Sequence, residues 1–265
     1  MHGLAVEVAF TEEWGRFTQL PWDLAAGSVR FEELSPVSAF PVAPGGRRAP
    51  GWWWSATTGR HVVHGSVAMR TQLMVLDRDP EVTGLSARPA RFLWRDPAGG
   101  GVRAWVPQLF ARYADGTGLL ADCPSSPTAG SELTQRARMV LEAACARVGW
   151  VYRSLEPPGA VRTANLRWLA GYRHPRHQGP SWLRSALAAV FAVPRPLGDG
   201  VALAGDPLQV LPALYHALWA GQLVASLDEP LGQQTVLRTC AASGSGRHAS
   251  ALAAGAGGRG EGGAR

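Results

Sequence analysis

Apolar and polar residues alternate from Leu4 to Phe10, the period of a half-buried strand. Glu12 to Gly51 shows no clear period, and the Pro- and Gly-rich run Pro36 to Pro50 reads as a surface loop. Gly51-Trp52-Trp53-Trp54-Ser55 is a dense aromatic block ahead of a turn at Thr58-Gly59. Adjacent indoles are costly to leave in water, so at least two of the three rings are expected to be buried or bound. Ser66 to Asp77 has helical spacing, with Ser66 as N-cap, Leu73 and Met74 as core contacts, and Asp79-Pro80 as the stop. Val82 to Trp94 reads as extended, broken at Pro89, with a turn over Asp96 to Gly101. Val102 to Pro124 is two apolar runs about Ala114-Asp115-Gly116, the composition of a β-hairpin, and Ser125 to Gly130 is a loop. Ser131 to Val148 is the clearest helix: Leu133, Ala137, Val140, Leu141, Ala144 and Val148 form one stripe, and Gly149 suits the C-terminal cap. Trp150 to Leu155 reads as a short strand.

Helix, three strands, helix, strand is an order that suits a mixed sheet in an α/β domain, assigned to residues 1–158. A second, mainly helical region is assigned to residues 159–240, starting beyond Pro157-Pro158. It has helices over Thr163 to Tyr172 and Ser181 to Phe191. A third is capped by Asp206, with Pro207 at its first position, and runs to Ala220. Pro212 is expected to bend that helix or shift its start. Leu223 to Leu227 and Thr235 to Arg238 flank a turn at Asp228-Glu229-Pro230. Helices followed by such a small hairpin outline a winged helix. Residues 241–265 are Gly, Ala, Ser and Arg without period, expected to be disordered.

Composition changes this picture little. The chain has 265 residues, a formal net charge of +6 and a pI near 10.0. Its basic residues include no Lys, only Arg and His. Arg in place of Lys reads as the mark of a genome of extreme base composition or as suited to phosphate contact through its planar fork, and the two are compatible. Cys123, Cys145 and Cys240 are far apart and form no C-x-x-C pair, which argues against a zinc ribbon or a disulfide framework and fits a reducing cytoplasm. Met1 to Phe10 is not a signal peptide, and no apolar stretch is long enough to span a bilayer.

The hairpin carries the candidate chemistry. Its two runs are placed like the catalytic hairpin of a PD…(D/E)xK nuclease, where an Asp follows the Pro of the first strand and an acid or amide, a spacer and a Lys end the second. Here the first pair is Pro107-Gln108, and the second run ends Asp122-Cys123-Pro124. Only Asp122 keeps a suitable side chain. His61/His64 and His174/His177 have metal-like spacing, but no Cys or carboxylate cluster in the sequence completes either set. Arg173-His174-Pro175-Arg176-His177 reads as phosphate contact or as a solvated linker. Trp52 to Trp54 read as core anchors or as a stacking platform.

Three blocks carry a family resemblance. They are Gly51-Trp-Trp-Trp-Ser-Ala-Thr-Thr-Gly-Arg-His61, Asp77-Arg-Asp-Pro-Glu-Val82, and Asn165-Leu-Arg-Trp-Leu-Ala-Gly-Tyr-Arg-His-Pro-Arg-His177. Together with Val210 to Trp219 and Leu223 to Leu227, they resemble the TnsA-like endonuclease subunit of heteromeric transposases, actinobacterial type. The resemblance covers most of the chain up to about Arg238.

It implies a restriction-endonuclease-like domain followed by a winged-helix-like domain, acting in DNA transposition. It also implies a Mg²⁺-dependent cut of one strand at each transposon end, a DDE transposase subunit as partner, and an AAA+ regulator. Mg²⁺ requires oxygen ligands, with carboxylates among them. The family's Glu-Ser-x-x-Glu helix start corresponds to Gly65-Ser66-Val67-Ala68-Met69, its hairpin Asp to Gln108, and its Lys to Pro124. A thioether and a proline supply no ligand for a hard cation. The expectation is a pseudoenzyme in which no metal is bound and Asp122 is the one catalytic position kept. Arg167, Arg173 and Arg176 are the candidate DNA contacts. An active Mg²⁺ nuclease with relocated carboxylates, such as Glu132 or Asp96 around Asp122, and a relic without function stay open.

Overall fold

The computed structural model describes residues 4–12, 15–40, 50–96, 101–124 and 132–240. In chain order its elements are β1 (Val6–Thr11), β2 (Phe17–Pro21), α1 (Trp22–Ser28), β3 (Gly51–Trp54), β4 (His61–His64), α2 (Val67–Asp77), β5 (Val82–Ala87), β6 (Arg91–Arg95), β7 (Val102–Trp105), β8 (Leu109–Tyr113), β9 (Gly118–Asp122), α3 (Glu132–Arg147), β10 (Val151–Ser154), α4 (Ala160–Ala170), a 3-10 turn (Pro175–His177), α5 (Ser181–Val190), β11 (Arg195–Pro196), α6 (Leu197–Ala204), α7 (Pro207–Trp219), β12 (Leu223–Val224) and β13 (Val236–Thr239). The class is mixed α/β, as expected.

The β8–β9 hairpin turns at Ala114-Asp115-Gly116. Gly116 takes φ 86°, a left-handed value that suits glycine, and the Asp115 carboxylate accepts from Thr117 N at 2.8 Å. β9 pairs parallel with β10, and β8 pairs antiparallel with β5, in the order β10-β9-β8-β5. Two parallel neighbours need a crossover, and α3 provides it. The second sheet, β2-β1-β6-β7, is antiparallel throughout. Two extended runs in the sequence are divided between these sheets. Val82 to Trp94 breaks before Pro89 into β5 of the first and β6 of the second. Val102–Trp105 pairs with β6, so the hairpin's first arm starts only at Leu109. Pro107 lies between the two pieces and has no N–H to continue a ladder.

Alternation along β8 and β9 feeds two cores. Leu109, Ala111, Leu119 and Ala121 pack with α2 and the C-terminal helices. Phe110 and Leu120 pack on the opposite face with Trp22, Phe31, Phe92 and the α3 residues Ala137, Leu141 and Ala144. Leu133, placed on that stripe by its spacing, is instead exposed. The region from 12 to 51 that showed no period supplies β2 and α1. Helix α1 has only seven residues, and Trp22 fastens it by donating Nε1–H to Ala144 O at 2.8 Å.

The C-terminal region adds α4, then α5-β11-α6-α7-β12-β13, with its short strands ordered β11-β13-β12. Strand β11 and helix α6 were not marked in the sequence. Helix α7 starts at Pro207 despite Pro212, and the Asp206 carboxylate caps it by accepting from Leu208 N at 3.0 Å. Leu166, Leu183, Leu214 and Trp219 join the core of α2 and β5, and Arg78 of the α2 C-cap donates to Leu218 O. The buried Asn165 amide holds the β12–β13 connection through Leu227 O, Glu229 O and Leu231 N.

Residues 41–49 of the Pro36 loop, 97–100 of the Asp96 turn, the 125–130 loop with Ser131, and the 241–265 tail lie outside the described residues. Among the described residues no helix is long and apolar enough to cross a membrane.

Candidate functional site

A cavity of about 670 Å³ opens where the start of α2 meets the approach to β6 and the ends of β7 and β9. Gly65, Ser66, Met69, Gln108, Asp122 and Pro124 all line it. These are the positions that the resemblance assigns to catalysis, brought together from three separate stretches of chain. Arg88, Arg91, Trp105 and Phe40 complete much of the wall.

Asp122 ends β9 with its carboxylate spoken for. Oδ2 accepts from Trp105 Nε1 at 2.7 Å and from Tyr152 Oη at 2.5 Å, and Oδ1 accepts from Gln108 N at 3.1 Å. Burial pushes the carboxyl above its ordinary value, while these hydrogen bonds and the charge of Arg88 pull it back. The same burial, with Asp122 alongside, drives the Tyr152 phenol upward, so it stays a donor. The Cys123 thiol is likewise pushed up and stays protonated.

The other positions have also been absorbed into the structure. Gln108 Oε1 accepts from Cys123 N at 2.9 Å, which ties the two hairpin arms together. Met69 is fully buried, and its sulfur accepts from Gly65 N at 3.4 Å. A Cβ on Gly65 would strike the Phe40 ring, so even the smallest side chain there needs that ring to move. Ser66 caps α2 by accepting from Met69 N at 3.1 Å. Pro124 adds neither charge nor donor. A Mg²⁺ ion needs several oxygen ligands. Here one carboxylate has three donors on it, the Gln108 amide oxygen and the Ser66 hydroxyl are each engaged, and the remaining positions offer sulfur or carbon. The residues present do not fit the metal. Among the described residues no group of three or more His, Cys, Asp or Glu could hold one.

The charge facing the cavity is basic. Arg88 is the only non-glycine described residue with positive φ, at 49°, and its N–H donates to Gln108 O at 3.1 Å. Its guanidinium lies 4.8 Å over the Phe40 ring and donates Nη1–H to Ala39 O, while its Nε is buried without a partner among the described residues. Arg91 is exposed on the same wall. Sequence reasoning missed Arg88, Arg91, Trp105 and Tyr152. Spacing gives no signal for them, because Arg88 and Arg91, Trp105 and Tyr152 come from three separate segments.

The relocated-ligand candidates lie elsewhere. Asp96 and Glu132 line a separate cavity of about 630 Å³ with Arg103 and Arg136. Asp96 pairs with both of those arginines, at 3.2 and 3.4 Å, and Glu132 pairs with Arg136 at 2.6 Å.

The three arginines expected as DNA contacts differ in exposure. Arg167 is exposed on α4, and Arg176 is exposed on the 3-10 turn. Arg173 is half-buried: its guanidinium stacks 4.0 Å from the Trp53 ring centre and donates to Trp54 O and Ala170 O. Of the tryptophans, Trp53 is buried, Trp54 is covered by His174 at 4.6 Å, and Trp52 is 70% exposed. Asp77 explains the block around them. This buried carboxylate accepts from Trp53 Nε1, Ser55 Oγ, Ala56 N and Thr57 N, closing the Trp loop onto the end of α2.

No protein-family model matches the chain, and no curated protein matches it significantly.

Proposed function

We propose that this chain is a TnsA-like subunit of a heteromeric transposase whose nuclease centre has lost its metal site. It serves by binding transposon-end DNA or its transposase partner. One observation carries the reading: the positions matched to that family's catalytic residues meet in one cavity, where Met69, Gln108 and Asp122 are engaged in structural hydrogen bonds and Pro124 brings no charge. The order α2-β5-β8-β9-α3-β10, with a final strand parallel to β9, supports a restriction-endonuclease-like domain. The order α5-β11-α6-α7-β12-β13 supports a winged-helix-like one. With Arg88 and Arg91 on its wall and its one carboxylate already satisfied, the cavity favours a phosphate oxygen over a divalent cation.

The test uses the purified full-length chain with duplex transposon-end DNA from its own gene neighbourhood and with the neighbouring DDE transposase. Binding that weakens steeply with salt, without nicking in Mg²⁺ or Mn²⁺, is the expected result. Metal-dependent nicking by the wild-type chain overturns the loss of activity. Absence of both DNA and transposase binding overturns the subunit role and leaves a relic. Combining Met69→Glu, Gln108→Asp and Pro124→Lys is expected to restore metal-dependent nicking, whereas Pro124→Lys alone does nothing.

A further inference from the structure

Outside the cavity, aromatic side chains of β3, α4, the 3-10 turn and α7 meet along the surface. On β3, Trp53 and its cross-strand partner Val62 are buried. Strand alternation therefore turns Trp54, with its partner His61, to the other face. His174 lies over Trp54, with ring centres 4.6 Å apart and planes at 30°. Arg176 N donates to His174 Nδ1, and Arg176 Nε donates to His177 Nε2 at 3.1 Å. His177 meets Tyr172 at 5.4 Å, Tyr172 meets Tyr215 at 4.9 Å, and Tyr215 meets the edge of Trp168 at 5.7 Å. Ring contacts run from His177 to Trp168, and Arg176 joins them by hydrogen bonds to the Trp54–His174 pair.

The series is basic and partly open. Trp168 is 54% exposed, and Arg167 and Arg176 are exposed. Among the described residues neither arginine makes an ion pair with a carboxylate. Burial, then the charges of Arg176, His216 and His174, push His177 below the ordinary histidine value, and no carboxylate offsets them. Flat rings interleaved with cations are what hold unstacked bases and their phosphates, and every base offers a face to stack. A duplex hides those faces inside its own stack. We infer that this row binds single-stranded nucleic acid, with bases stacking at Trp168 and the neighbouring rings and phosphates held by Arg167 and Arg176. The row shares no residue with the Asp122 cavity, so the inference stands apart from the reading of that cavity.

The experiment is fluorescence anisotropy of the full-length chain with a labelled oligothymidylate of about twenty nucleotides, beside a duplex of equal length. Site sizes of single-strand binders run to about 16 nucleotides per fold, so the oligomer is long enough. Trp168→Ala is expected to weaken single-strand binding at least about fivefold, the low end for one stacked base, with duplex binding changed less than about twofold. Trp168→Phe restores most of the loss, because the stacking ring returns. Arg176→Ala weakens single-strand binding and lowers its salt slope by about one. Trp182→Ala, on α5 outside the row and 59% exposed, leaves binding unchanged. Failure of the wild type to bind the oligothymidylate overturns the inference. So does single-strand binding unaffected by both Trp168→Ala and Arg176→Ala. If Trp168→Ala lowers the melting temperature, the exposed Arg176 site decides. Loss of transposon-end duplex binding bears on the proposed function and not on this row.

Discussion

Replacing Asp122 by Ala separates a working carboxylate from a structural one. Two side-chain donors, Trp105 Nε1 and Tyr152 Oη, lose their acceptor. Gln108 N keeps a second partner, Ala121 O at 2.9 Å. A buried donor left unmatched costs about 1–3 kcal/mol, so two set a ceiling of about 6 kcal/mol. The cavity beside them admits water, and the burial cost of the carboxylate itself disappears, which leaves a net loss of about 2–3 kcal/mol. For a chain near this size each kcal/mol moves Tm by about 2–4 °C, so the expected fall is about 4–12 °C. The assay is a thermal melt at pH 7 followed by circular dichroism, with Tyr152→Phe alongside. Tyr152→Phe removes one donor and is expected to cost less, and the double variant costs less than the sum because the two residues share a bond. Residues kept for catalysis are commonly held at the expense of stability, and removing them is neutral or stabilising. An unchanged or higher Tm for Asp122→Ala would refute the structural role.

Two further outcomes follow from the same geometry. The folded Asp122 carboxyl lies above its ordinary value, so the unfolded chain gives up that proton first as pH rises. The stability that Asp122 adds relative to Asp122→Asn is full below about pH 4 and is lost as pH climbs through the raised value; a difference in Tm that grows from pH 4 to 8 contradicts the assignment. Arg173→Ala removes the stack on Trp53 and two carbonyl contacts. It is expected to cost about 2–3 kcal/mol of stability, read by urea titration, while leaving the salt slope of DNA binding unchanged; a slope reduced by about one would assign that guanidinium to phosphate instead.

Helix α2, helix α3 and the β8–β9 turn are legible because each is a local pattern. Ser66 caps, the Ala137-Leu141-Ala144 stripe repeats, and Gly116 permits the turn. Helix α1 is not legible, since seven residues are too few for a period and Trp22 finds its partner 122 residues away. The split of Val102–Trp105 from the hairpin is equally hidden. Both arms are apolar and extended, and only pairing partners decide which sheet takes them.

The candidate site divides the same way. The amino-acid sequence alone determined that Met69, Gln108 and Pro124 bring no carboxylate, because that is a matter of residue identity. Tertiary structure decided what surrounds them. Tyr152 and Trp105 close on Asp122, Arg88 lines the cavity from the residue before a proline, and rings from β3, α4, the 3-10 turn and α7 come together. Hydrogen bonds and stacking between residues far apart in the chain depend on distance in space, and spacing along a sequence carries no record of it.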